Sequence, residues 1–277
     1  MRVVSTYLFH RRRLQPALLD GLAQAGAEAI ELFCARESFD YTDLAQVEEL
    51  AAWLRHSPLR LHSMHAPLHA EAGGGAPPLD IAEPDRRRRL TAVAEIERVL
   101  ELADKMPYGF LVLHLGVRGC ERDDRRAEAA FSSLERLRML AKPAGVTLLV
   151  ENIPNALATP DPLMEFLDRT HLHDIGVCFD SGHAHLPAAL CGGGGVLAAF
   201  ERLRPRLRST HLHDNRRQSD DHLWPGEGTI AWPELMPRLA GIPDLPWVVE
   251  IGDDAPEETV CARLADCWRR LAGWAAA

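Results

Sequence analysis

Eight short apolar or β-branched runs alternate with longer segments of helical period along the whole chain, and nothing else in the sequence restricts the fold so tightly. The strand candidates are residues 3–9, 29–33, 59–64, 110–115, 146–151, 175–179, 209–212 and 247–251. Amphipathic stretches such as 85–104, 123–141 and 257–274 lie between them. A strand reaches a parallel neighbour only through a crossover, usually a helix, so this alternation builds a parallel sheet. Eight units in 277 residues lie near the ~250 residues typical of a closed (β/α)8 barrel. The expectation is an α/β fold, a single (β/α)8 barrel with a parallel eight-stranded core, in which 1–277 form one domain.

Composition narrows the chemistry. An apolar fraction of 47%, a charged fraction of 26% and a net charge of -9 describe a chain able to bury a core, which excludes disordered and fibrous classes. No apolar run approaches the ~18–20 residues of a membrane span. The opening MRVVSTYLFHRRRL places its basic cluster after the apolar stretch, the reverse of a signal peptide, so the expected location is the cytoplasm. Cys34, Cys120, Cys178, Cys191, Cys261 and Cys267 form no CxxC pair, which leaves reduced thiols and no thiolate zinc site. Lys105 and Lys142 are the only lysines among 31 basic residues, and neither is placed for a Schiff base. No GxGxxG follows the first strand and no GxxxxGK occurs. The glycine runs at 73–75 and 192–195 read as loops inside βα connections, and the arginine runs at 11–13 and 86–89 as solvated surface, with contact to a phosphate-bearing ligand as the alternative.

The ionisable residues are not scattered. His65 follows the third strand, His114 ends the fourth, Glu151 ends the fifth, Asp180 and His183 follow the sixth, His211 and His213 sit on the seventh, and Glu250 ends the eighth. Asp220 and His222 lie in the loop after strand seven. Barrel closure gathers the carboxyl ends of all strands at one mouth, so these side chains converge there. Carboxylates and imidazoles crowded in a low dielectric repel and lose hydration unless a cation sits among them. Oxygen and nitrogen donors without thiolate suit Zn, Mn, Co or Fe better than Ca. Taken singly, His65, His114 and His183 read more readily as structural histidines, Asp180 as a helix cap and Asp220 as loop polarity. Asp85 and Asp161 read as structural throughout. Six successive strand ends bearing such residues are not a coincidence of packing.

The motifs HAPL, LHLG, VENIPN, FDSGHAHL, THLHD, DDHLWPGEGTI and VVE, covering nearly the whole chain, resemble the xylose isomerase-like TIM-barrel superfamily. That superfamily includes sugar isomerases and epimerases, inosose isomerase and endonuclease IV. In the isomerase branch the resemblance implies one divalent metal, Mn, Zn, Co or Mg, held by Glu151, Asp180, His211 and Glu250. It places His183 and Arg217 at substrate-binding positions. In the endonuclease IV branch it implies three zinc ions, whose ligand positions are His65, His114, Glu151, Asp180, His183, His211, Asp220, His222 and Glu250.

Two features favour small-molecule chemistry. His65 is followed by Ala66, Pro67 and Leu68 and then a small, acidic, glycine-rich stretch, where a DNA-gripping loop needs basic and aromatic side chains. Tyr7, Phe9 and the arginines at 11–13 in the first βα turn are the counter-indication. The expected function is isomerisation or epimerisation of a sugar or sugar phosphate, with Glu151 and Glu250 moving a proton through an enediolate. The rivals are a trinuclear zinc phosphodiesterase acting on abasic DNA, the only reading that brings in nucleic acid, and an accessory barrel that binds metal and sugar without catalysis. The expected partner is a small carbohydrate, with no membrane. Trp224, Phe9 and Phe33 read as sugar-facing or packing side chains. Trp268 and Trp274 read as packing within the last helix, with a homo-oligomer surface as the alternative.

Overall fold

The structure, a computed structural model, describes residues 1–72, 75, 77–190 and 195–277. Cys191 and most of the two glycine runs lie outside the described residues. Eight strands run β1 (Arg2–Ser5), β2 (Ala29–Phe33), β3 (Arg60–His65), β4 (Phe110–Leu113), β5 (Thr147–Glu151), β6 (Gly176–Asp180), β7 (Leu207–His211) and β8 (Trp247–Val249). They hydrogen-bond in the order β7-β6-β5-β4-β3-β2-β1-β8, every pair parallel. Closure is made by Leu212, whose N–H donates to the Val248 carbonyl at 2.7 Å and whose carbonyl accepts from Glu250 N–H at 3.3 Å. The expected barrel is therefore the observed one.

The crossover helices begin where the sequence marks them. Asp43, Asp85 and Asp123 each accept a backbone N–H in the first turn of α2 (Leu44–Leu54), α3 (Arg86–Glu101) and α4 (Asp124–Ala141), satisfying donors that have no partner within the helix. A proline opens α1 (Pro16–Gln24) and α5 (Pro160–Arg169), where its missing N–H costs nothing. The short α6 (Ser181–His185) is capped by Asp180, and α7 (Val196–Leu203), α8 (Trp232–Ala240) and α9 (Glu257–Ala275) complete the ring. Asp161, in the first turn of α5, pairs with Arg202. Trp268 is buried, and the Trp274 ring stacks on Trp232 at 6.0 Å, so both pack inside this molecule. No helix among the described residues is long and apolar enough to cross a membrane.

The largest departure from expectation is at the start. Only Val3–Ser5 of the expected strand 3–9 are extended, and Thr6–Phe9 turn into a 3-10 helix. The Ser5 hydroxyl accepts the Tyr7 N–H at 3.4 Å and the Thr6 hydroxyl accepts Phe33 N–H at 2.9 Å, so side chains take over the ladder's role. A short apolar run carries no periodicity that separates these two conformations.

Side chains on a strand alternate between its two faces. The outward set packs against the helices in one continuous core that includes Val4, Ile30, Leu32, Met64, Leu111 and Val150. The inward set forms two small apolar clusters, Val3 with Ala29 and Val248, and Val112 with Leu149 and Cys178. Two residues further along each of these strands, the same inward face carries Ser5, Glu31, His114, Glu151, Asp180 and Glu250. Period two thus delivers ionisable groups to one layer above an apolar plug.

Candidate metal centre

His211 lies at the middle of that layer, fully buried. Its Nδ1 is 3.1 Å from Glu151 Oε2, 3.5 Å from Glu250 Oε2 and 4.0 Å from Asp180 Oδ2. The four residues expected to hold one metal are therefore neighbours. Yet His211 Nδ1 and Glu151 Oε1, both buried, have no hydrogen-bond partner. Donor atoms at such separations, aimed together without hydrogen-bond geometry, form the donor set a divalent cation takes: one imidazole and three carboxylates. Orphaned buried polar atoms cost about 1–3 kcal/mol each, which a bound cation relieves.

The second nitrogen of His211 is also committed. Its Nε2 lies 2.9 Å from Oε1 of Glu31, and Glu31 Oε2 accepts the Ser63 hydroxyl at 2.7 Å. Strands β2 and β7 are separated by β1 and β8, so this contact crosses the barrel interior. A carboxylate on Nε2 keeps the proton there and leaves Nδ1 bare for a cation, the arrangement by which outer carboxylates orient metal-binding histidines. Sequence reasoning missed Glu31. Its signal was a carboxylate inside the otherwise apolar run AIELF.

The remaining histidines surround Glu151. His65 Nε2 and His114 Nε2 approach its Oε2 at 3.4 and 3.3 Å, and His183 Nδ1 approaches its Oε1 at 3.0 Å. His183 Nε2 lies 3.0 Å from Asp220 Oδ2, with His222 Nε2 at 3.7 Å from the same oxygen. All nine positions of the trinuclear pattern thus share one cluster. His65, Glu151 and His211 form one group of mutually close donors, Glu151, Asp180 and His183 a second, and His183, Asp220 and His222 belong to a third.

Asp180 does two jobs with two oxygens. Oδ1 accepts the His183 N–H and caps α6, while Oδ2 is 2.9 Å from Nε2 of His213. The His213 ring is stacked on His222 at 3.9 Å and covers Gly182, where any Cβ would collide with it. The sequence places His213 at the mouth without a role; here it fixes the orientation of Asp180. Glu250 Oε1 accepts the Ser5 hydroxyl at 3.3 Å.

The electrostatics carry the same message. Burial pushes Glu151 up, but His211 and His114 outweigh it and hold its carboxyl well below the usual range. Burial pushes His183 and His222 down, but Asp180 and Asp220 outweigh it for His183, which lies well above the usual imidazole range, and Asp220 raises His222 to about 9. The carboxylates demand positive charge.

Two cavities open beside the cluster. One of about 420 Å³ is lined by His114, His183, Asp220 and Arg118 together with Ile153 and Pro154. The other, of about 550 Å³, is lined by Tyr7, His10, Arg11, Phe33 and Arg36. Phe33 therefore faces the mouth, whereas Phe9 is buried, and Trp224 is buried with its indole N–H on Asp253 at 2.8 Å. Arg217 lines neither cavity: it sits on an exposed turn at φ +66°, its N–H held by Asn215 Oδ1 at 2.9 Å.

Residues 19–271 match the family model described as xylose isomerase-like TIM barrel. Among curated proteins, y4fM of Sinorhizobium fredii is 27% identical over 216 residues, 71% of this chain and 67% of its own. Among solved structures, D-psicose 3-epimerase with D-tagatose from Clostridium cellulolyticum superposes with a TM-score of 0.78 at 14% identity, covering 99% of each chain. The IOLI protein with a bound zinc atom superposes with a TM-score of 0.75 at 14% identity, over 99% of this chain and 97% of that one.

Proposed function

The chain belongs to the xylose isomerase-like TIM-barrel family, and from that premise we propose that it is a divalent-metal-dependent isomerase or epimerase of a sugar or sugar-like ketose. The observation that carries this reading is the placement of two carboxylates, Glu151 and Glu250, at 3.1 and 3.5 Å from one imidazole nitrogen. Two carboxylates beside one cation position supply the pair of proton carriers that this reaction needs. The superposed epimerase with its sugar and the superposed zinc protein support the substrate class and the metal.

A cation held by Glu151, Asp180, His211 and Glu250 would polarise the substrate carbonyl and acidify the adjacent C–H. One glutamate then removes that proton, the C–H electron pair forms a carbon–carbon double bond, and the carbonyl π pair moves onto oxygen to give an enediolate. The other returns a proton to the opposite face, which epimerises, or to the neighbouring carbon, which isomerises. Ser5 steadies the Glu250 carboxylate through Oε1. His183 lines the 420 Å³ cavity, and in this reading it holds a substrate hydroxyl. The test is exchange of the substrate α-proton with deuterated solvent. Glu151→Gln and Glu250→Gln each abolish it under this reading; exchange retained in both variants refutes the two-carboxylate mechanism.

A second reading rests on the three donor groups around Glu151 and Asp220, which suit zinc-assisted phosphodiester cleavage at abasic DNA. Metal counting separates the two. About three zinc ions per chain with nicking of abasic duplex supports the nuclease, and about one ion without nicking supports the isomerase.

A further inference from the structure

We propose that Arg118 makes the mouth selective for substrates bearing a negative group, a carboxylate or a phosphate. This rests on the reading that the site handles a ketose and adds the class of ketose it takes. Arg118 stands at the tip of a tight turn after β4, bracketed by Gly116 and Gly119 in left-handed conformation at φ +78° and +72°. The turn is clamped to the loop that follows Glu151. Asn155 Nδ2 donates to the carbonyls of Leu115 and Val117 at 2.8 and 3.1 Å, and Gly119 N–H donates to the Pro154 carbonyl at 2.9 Å. The backbone of Arg118 is therefore registered to the segment that follows Glu151.

The side chain projects into the 420 Å³ cavity, where it is the single arginine or lysine among the described lining residues. Its guanidinium is half-exposed and Nη1 lies 3.3 Å from Asp220 Oδ2. Among the described residues it has no other partner. A half-solvated ion pair of this length contributes little to stability, and it leaves most of a five-donor fork unspent. Asp220 does not depend on Arg118, since His183 Nε2 is 3.0 Å from the same oxygen. An incoming anion can therefore take the fork bidentately without stranding a buried charge. A neutral sugar gains nothing comparable there. Arg217, the position that family resemblance offers for a fixed cation, lines neither mouth cavity.

The test titrates the manganese-loaded full chain with three ketoses of one skeleton, D-fructose, D-fructose 6-phosphate and D-fructuronate. At least one anionic ketose binds about tenfold or more tightly than the neutral one. Arg118→Gln, a surface change whose folding is checked by circular dichroism, brings that ratio to near one. Arg118→Lys retains the preference for phosphate better than that for carboxylate, because it keeps the charge and loses the fork. The two anions tell the sources apart. Equal affinity for all three, binding of none, or a preference that survives Arg118→Gln overturns the proposal. Solvent exchange is read separately: an Arg118-dependent preference without exchange sinks the proton-transfer reading and leaves this selection standing.

Discussion

Glu31 on β2 and His211 on β7 meet across the barrel interior, Oε1 to Nε2 at 2.9 Å, though 180 residues separate them in the chain. The contact decides which imidazole nitrogen carries the proton and so which one faces Glu151, Asp180 and Glu250. Replacing Glu31 by Gln exchanges a carboxylate for an amide that can donate to Nε2, releasing the preference for bare Nδ1. Zinc affinity, measured by competition with a chelating dye, is expected to fall about 10–100-fold. Unchanged affinity would show that His211 needs no support from Glu31.

Metal removal should be felt in stability as well as in chemistry. Zinc or manganese at about 100 times its dissociation constant adds about 2.7 kcal/mol, which raises the melting temperature by several degrees. Asp180→Asn should erase most of that gain, because it weakens one ligand and the partner of His213. A chelated protein that melts with the metal-loaded one would count against the whole centre.

Gly182→Ala tests the position of His213 directly. The added methyl occupies the space of the His213 ring, which is confined by its stack on His222 and its contact with Asp180. Overpacking of this kind costs about 1–3 kcal/mol. Urea denaturation of the metal-free protein should register that loss, and a midpoint equal to that of the parent would place the ring elsewhere.

His62, below the centre, supplies a further pH dependence. Burial pushes its imidazole below the ordinary range, and Nε2, packed near the Phe110 ring, has no hydrogen-bond partner. The unfolded chain takes up a proton near pH 6.5 and the folded one resists until lower pH, so stability is complete above about 6.5 and declines as pH falls through it. His62→Phe should flatten the acid side of the stability profile relative to the parent. A parallel displacement of the whole profile, with its slope unchanged, would exonerate His62.

Glu151 and Glu250 stood out by reading alone because each terminates an apolar run, and an ionisable group at such a point faces either a barrel mouth or an expensive burial. Asp180, which taken singly reads as a helix cap, and His211 stood out only through the motifs FDSGHAHL and THLHD. Glu31 escaped because it lies inside its strand rather than at the end, and nothing local distinguishes a carboxylate that supports a ligand from a misfit. The turn at Thr6–Phe9 escaped because hydroxyl groups of neighbouring residues, not hydrophobic period, end β1. Arg118 and Arg217 look alike as loop arginines; only the clamps from Asn155 and Pro154 put the first over the cavity.

Local chemistry was enough to establish the repeating strand–helix unit, the alternation that points every second side chain inward, and the residue types waiting at each strand end. Those properties depend on neighbours a few positions away. Which groups touch depends on closure through Leu212 and Val249 and on the stagger of the strands, which bring atoms from opposite sides of the barrel within hydrogen-bonding distance. Distances across a closed sheet are set by all eight strands at once, so no segment of the chain contains them.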